Sequence, residues 1–212
     1  MRASAILLVV VLVGAFGASR AAAQRSPRLE KLALEPADMA KAKSATSRLA
    51  DLTSAWQGGT VSAVDSSAPD CAWQDYSAFT MTGRSEADFA QGPAEIISIV
   101  QIFRTHAQAL GDFAVDTRAG TAKCEAEIFQ HAFGSTTSVV SATTVAAPKV
   151  GDTASAIQIV LKAGPNRFYA NVVEFVRDRA IAGLVTLSVD RPLADRAALV
   201  RLMDERLHAG VA

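Results

Sequence analysis

The sequence predicts an α+β fold: an antiparallel β-sheet packed against helices in two layers. Three observations predict it. The C-terminal third holds four runs rich in β-branched residues, at 139–145, 156–161, 167–177 and 180–189, joined by short turns. Segments with apolar residues at helical spacing lie before and after those runs. A lone apolar run at the N-terminus stands apart from both and reads as a targeting segment.

That run gives the first element. Arg2 is followed by apolar residues 5–16 and then by Ala21-Ala22-Ala23 ahead of Gln24. An early cation, a short apolar core and an Ala-x-Ala site are the parts of a secretory signal peptide. The apolar core spans roughly 10–14 residues, short of the ~20 that cross a bilayer. Residues 1–23 are therefore read as a signal peptide, with an uncleaved anchor as the alternative. Residues 24–35 read as a leader with mixed charge and Pro27. Residues 36–208 read as a single α+β domain, of a size that builds a substantial core.

Glu35-Pro36-Ala37-Asp38 opens a helix, because proline suits a first helical position and acids favour that end. Met39, Ala42, Leu49 and Leu52 fit its faces, and Gly58-Gly59 ends it after Trp56. A Ser- and Asp-rich loop covers 60–70. A strand is expected around 76–82, ending at Gly83, with Ser85 as a candidate helix cap. The β-branched stretch 94–104 reads as a further strand. Thr105 caps a helix to about Phe113, where Ala107, Leu110 and Phe113 recur at helical spacing. A second helix spans 121–133 and carries Cys124, Ile128 and Phe129. Gly164-Pro165-Asn166 and Asp178-Arg179 have the length and type of hairpin connectors, so the last strands form a meander. Asp190-Arg191-Pro192 starts a terminal helix with Leu193, Ala197, Val200 and Leu207 inward and Arg196, Arg201, Asp204 and Glu205 toward water.

Composition narrows the function. The chain has 21 basic and 21 acidic residues, and removal of Arg2 and Arg20 with the signal leaves 19 against 21. A near-neutral balance argues against nucleic acid or an anionic membrane as the main partner, and no second segment is long and apolar enough to span a membrane, so no stable membrane insertion is expected after cleavage. Two cysteines, Cys71 and Cys124, survive cleavage. In an oxidising compartment they are expected to form a disulfide, closing a loop of about 54 residues worth roughly 4 kcal/mol in the chain-entropy model. Free buried thiols and redox or metal use are the alternatives, although a C-x-x-C arrangement is missing.

Several segments carry a resemblance. They are Arg48-Leu49-Ala50-Asp51-Leu52 with Trp56, Cys71 with Phe79-Thr80-Met81-Thr82-Gly83 and Phe89, and Cys124. Lys149-Val150-Gly151-Asp152 and Val172-Val173-Glu174-Phe175-Val176-Arg177 complete the set. Together they resemble exported, sensor-like domains of actinobacterial type, notably the extracellular sensor domains of mycobacterial receptor kinases, and more loosely the Mog1/PsbP-like fold. The resemblance covers about residues 36–208. It implies an antiparallel sheet flanked by helices, a cleft for a ligand, and no catalytic residues to carry over. The chain departs from those sensors in having fewer cysteines and, within its 212 residues, no kinase domain.

Reaction signatures are missing from the sequence. His106, His131 and His208 fit no metal-binding spacing, and there is no G-x-S-x-G elbow or phosphate loop. Asp65, Asp70 and Asp75 lack the spacing of a calcium loop. Neither Asn166 nor Asn171 begins a glycosylation sequon. No cofactor or metal is expected. The ligand-binding candidates are Trp73, Tyr76 and Tyr169, as aromatics with a polar handle, and Arg104 and Arg177, which meet an anion if their strands are neighbours. An ion pair with Glu174 or another nearby acid is the competing use of Arg177. The sequence thus favours a secreted, non-enzymatic module that binds an envelope-derived or small ligand or a protein partner. A secreted hydrolase with a non-standard site is the alternative.

Overall fold

In a computed structural model, the described residues are 32–35, 81–91, 94–133 and 136–210. Their elements are β1 (Gly83–Gln91), β2 (Ala94–Ile102), α1 (His106–Asp116), α2 (Thr121–Phe133), β3 (Thr137–Thr144), β4 (Thr153–Ala163), β5 (Asn166–Arg177), β6 (Ala180–Val189) and α3 (Arg196–Gly210). The strands form one sheet in the order β1-β2-β6-β5-β4-β3, antiparallel at every junction. The α+β reading and the C-terminal meander are what the structure shows.

The turns explain the meander. Ala163 pairs with Asn166, leaving Gly164-Pro165 as a two-residue connector, and Gly164 has φ +59°. Glycine takes that left-handed conformation without a Cβ penalty. Arg177 pairs with Ala180 in the same way, and Asp178 takes φ 50° in the turn between them.

Alternation along each strand sorts the core into two faces. Ile97 and Ile99 of β2, Ile157, Ile159 and Leu161 of β4, Val172 of β5 and Val185 of β6 pack with Cys124, Ala126, Ile128 and Phe129 of α2. On the opposite face, Ile96 and Val100 of β2, Val173 and Phe175 of β5 and Leu184 of β6 pack with Leu199, Val200, Met203 and Leu207 of α3. Helix α1 lies on the α2 side, with Ala109 and Phe113 against Val176 and Ile181. The sheet is therefore covered on both faces. This corrects the expected two layers to three, because the central strands are apolar on both faces and each face needs its own cover.

Several expected boundaries move. Leu32, Ala33 and Leu34, read as leader, are buried with the α3 core. The Leu34 N–H donates to Ser98 Oγ at 3.1 Å, and Arg206 holds Glu35 at 3.1 Å. Residues 76–80 of the strand expected before Gly83 lie outside the described residues; β1 begins at Gly83, and Ser85 is a buried strand residue rather than a helix cap. Ser85, Ala87 and Phe89 face inward and Arg84, Glu86 and Asp88 alternate with them. The terminal helix begins at Arg196, beyond the turn where Asp190 takes φ 67°. Thr105 caps α1 as expected, its Oγ1 accepting from the Gln108 N–H at 3.2 Å. The expected helix over 36–56 and the loop over 60–70 lie outside the described residues.

Candidate functional site

The groups with unusual chemistry collect on the face covered by α1 and α2. Glu174 shares the parity of Val172 and Val176, so β5 aims it toward these helices. Across the ladder its neighbours are Gly183 and Ser155, two small residues that leave room above the sheet. Asp112 and Asp116 stand one turn apart on α1, and Glu125 comes from α2. Asp112, Glu125 and Glu174 are all buried. Asp116 is half-buried, and Arg118, just beyond it in the turn between the helices, is exposed.

Electrostatics follow from this packing. Burial raises the Asp116 carboxyl to about 8, the Asp112 and Glu125 carboxylates push the same way, and Arg118 opposes them. Burial raises Glu174 well above the usual carboxylate range, and Asp116, Glu125 and Asp112 add to the effect. Among the described residues one Glu174 oxygen, Oε1, has no hydrogen-bond partner, and the same holds for Oε1 of the buried Gln101 on this face. The cluster is built so that its members cannot all be ionised together.

The same face continues acidic toward β1. Glu86 stands in a cross-strand row with Ile99, Gly183 and Glu174. Burial raises Glu86 against the opposing pull of Arg84, its partner at 2.9 Å. Burial and Glu86 raise Asp88, while burial and Asp88 raise Glu95 to about 8. Among the described residues no three His, Cys, Asp or Glu side chains converge closely enough to hold a metal ion. The carboxylates are distributed over α1, α2, β5 and the β1–β2 hairpin, a spread that suits protons or an extended cation better than a single ion.

The positions expected from sequence fall elsewhere. Arg104 is exposed after β2, where its backbone N–H donates to Gln108 Oε1. Its strand does not neighbour that of Arg177, because β6 lies between them. Arg177 is engaged by Asp204 of α3, with Nε to Oδ1 at 2.7 Å and Nη2 to Oδ2 at 2.8 Å, and reaches Asp152 at 3.5 Å. The competing ion-pair reading of Arg177 is what the structure shows, with Asp204 as the acid. Asp204 therefore does not simply face water. Burial pushes its carboxyl up, but the hydrogen bonds from Arg177 and from the Gly151 N–H, with the charges of Arg177 and His208, hold it below the usual range. Tyr169 is half-buried on the α3 face, in a row with Ser188. Trp73, Tyr76 and Cys71 lie outside the described residues. Cys124 is buried on α2 and is not a free thiol.

The Arg177–Asp204 pair ties β5 to α3, and a variant measures what that is worth. Asp204→Asn is expected to lower stability by about 1–2 kcal/mol in urea unfolding at neutral pH, a bidentate charged pair at the protein surface being worth somewhat more than an isolated one. Because the folded-state value of Asp204 is depressed, its contribution is present above about pH 4 and is lost as the pH falls through that folded value. The difference between wild type and variant is expected to shrink in acid.

Comparison with solved structures places the fold. The chain resembles the extracellular domain of PknH from Mycobacterium tuberculosis at 12% identity and a TM-score of 0.52, over 86% of this chain and 95% of that one. A putative uncharacterized protein from Mycobacterium smegmatis, an Rv0999 ortholog, aligns at 12% identity and a TM-score of 0.34, over 60% of this chain and 63% of that one. No family model and no curated protein matches. Among the described residues no helix is long and apolar enough to cross a membrane. At this identity the likeness to the PknH domain is one of fold, an α+β architecture.

Proposed function

We propose that the chain is an exported, non-enzymatic binding module of the cell envelope, and that its ligand carries a cationic group received by the carboxylates of α1, α2 and β5. The observation that carries this reading is Glu174, buried with an unpartnered oxygen among Asp112, Asp116 and Glu125. Such a cluster stores electrostatic free energy that a bound cation releases. Half-buried Asp116 beside exposed Arg118 marks the route in. The fold shared with a receptor-kinase extracellular domain supports an extracytoplasmic setting. Export by residues 1–23 and a Cys71–Cys124 disulfide belong to the same proposal, and Trp73 and Tyr76 remain its aromatic candidates, whereas Tyr169 lies on the α3 face, on the side of the sheet opposite the carboxylates.

The test is thermal stabilisation by organic amines and diamines, by spermidine and by divalent metal salts, at pH 8 and pH 5. At least one amine class is expected to stabilise at pH 8, more weakly at pH 5, and not at all in Glu174→Gln. If no cation stabilises the protein, or the variant responds like wild type, the reading fails. The alternative is a secreted hydrolase. It is favoured by Asp116, whose value of about 8 keeps a carboxyl protonated at neutral pH as a general acid requires. Turnover of a glycoside or ester panel, lost in Asp116→Asn, would select it.

A further inference from the structure

We infer that the ligand is a linear polyamine lying across the sheet, with one ammonium group held at Glu174 and another at Glu86 and Asp88. The inference rests on the cation-binding reading of Glu174 and extends it along the same face. Among the described residues, four buried acceptor oxygens without a hydrogen-bond partner share that face: Glu86 Oε1, Asp88 Oδ1, Gln101 Oε1 and Glu174 Oε1. Register places them there. Glu86 stands beside Ile99, Asp88 beside Ile97 and Gln101 beside Ile181, which belong to the core under α2 and α1. The two unpartnered groups able to donate, Asn171 Nδ2 and Thr186 Oγ1, are cross-strand neighbours on the opposite, α3 face. Gln101 and Glu174 are only 3% and 5% exposed. Gln101 is neutral, so it cannot relieve an unmade hydrogen bond by taking up a proton, and only a donor satisfies its oxygen.

The path between the acids runs along a seam. Helix α2 packs over Ile97, Val185 and Val172, and α1 packs on Ile181 and Val176. Between those two rows lies the row Glu86, Ile99, Gly183 and Glu174, in which Gly183 has no side chain to fill the gap. Gln101 flanks this row from β2, between the two acidic ends. From β1 to β5 is three strand spacings, about 14 Å, which sets the length of the ligand. Arg84 takes Glu86 Oε2 at 2.9 Å and leaves Oε1 without a partner, and Asp88 adds a second carboxylate beside it. A polyamine offers N–H donors at both ends and along its length. An extended basic peptide would instead bring a carbonyl oxygen with every residue into a lining of acceptors, and those oxygens would go unpaired. A single metal ion cannot reach both ends.

The experiment is isothermal titration calorimetry on the full chain, secreted through its own N-terminal segment, at pH 8 and about 150 mM salt, where screening removes loose association of polycations. The probes are butylamine, putrescine, dodecamethylenediamine, spermine and trilysine. The long diamine is expected to bind about tenfold or more tightly than putrescine, because its second ammonium reaches the far acids, and spermine to bind tighter again through its internal N–H groups. Glu86→Gln, and independently Asp88→Asn, is expected to cut the advantage of the long diamine over putrescine to within about threefold. Gln101→Leu is expected to weaken spermine about fivefold more than the long diamine. Short and long diamines that bind alike, a long-chain advantage that survives both carboxylate variants, or trilysine binding more tightly than spermine would each overturn the inference, while butylamine binding that is lost in Glu174→Gln would still uphold the cation-binding reading. Absence of binding by every amine would overturn both.

Discussion

Glu174→Gln is expected to make the protein more stable at pH 8, by about 1–3 kcal/mol, which for a chain of this size raises the melting temperature by several degrees. Ordinarily a change to a buried residue destabilises. The sign reverses here because wild-type Glu174 is buried with an unpartnered oxygen among three other carboxylates. Glutamine keeps the shape and removes the ionisable group. Asp116→Asn is expected to act in the same direction. The linkage fixes the pH dependence. Asp116 stands at about 8 folded, against an unfolded value near 3.8, so between those limits the unfolded chain binds fewer protons than the folded one. Its contribution is intact below about pH 4, declines as the pH rises, and is fully lost above about pH 8. Glu174 and Glu95 are raised as well and act with the same sign. The wild-type melting temperature is therefore expected to rise on acidification from pH 8 to pH 5, and the slope to flatten in Asp116→Asn.

Gly151→Ala is expected to cost about 3–4 kcal/mol, the largest single loss foreseen for a one-carbon change. Gly151 sits at φ +59°, and a Cβ there would collide with the Val176 carbonyl oxygen and crowd the Phe175 ring. The close approach is built in. Asp152 donates its N–H to the Val176 oxygen at 2.7 Å, and the Gly151 N–H reaches Asp204 Oδ2 at 3.2 Å. Alanine would have to move the β3–β4 connection away from the end of β5, loosening the Arg177–Asp204 pair with it. Urea unfolding measures the loss. A change below about 0.5 kcal/mol would show that the connection shifts freely.

These features were unequally visible in the sequence. The β4–β5–β6 meander was legible because β-branched runs meet at turns with the right residues, Gly164-Pro165 and Asp178-Arg179. Helix α2 was legible from its apolar stripe, and α1 from its threonine cap. Strand β1 was not legible because its inward residues Ser85 and Ala87 are small and one is polar, so the alternation carried little hydrophobic contrast. The layer count was missed because a helical stripe says that a face is buried but not which side of a sheet it covers. The carboxylate cluster joins residues as far apart as Asp112 and Glu174, and acids on helices read as solvated charges. One local signal did exist. Glu174 interrupts Val172-Val173 and Phe175-Val176 inside a strand buried along most of its length, and a charge in that setting needs a reason. Asp204 lay beside the apolar stripe of α3, with no sequence cue linking it to Arg177.

A carboxyl group that stays protonated at neutral pH in the folded protein is the central feature of the cluster. Carbon-detected NMR of the side-chain carboxyls, followed from pH 4 to pH 9 with Asp116→Asn and Glu174→Gln for assignment, measures this directly. The Asp116 carbon is expected to titrate near 8, with Glu174 far above the ordinary range and coupled to it. Both carbons titrating near 4 would mean that the cluster is solvated, and the stored electrostatic strain on which the cation-binding reading depends would be absent.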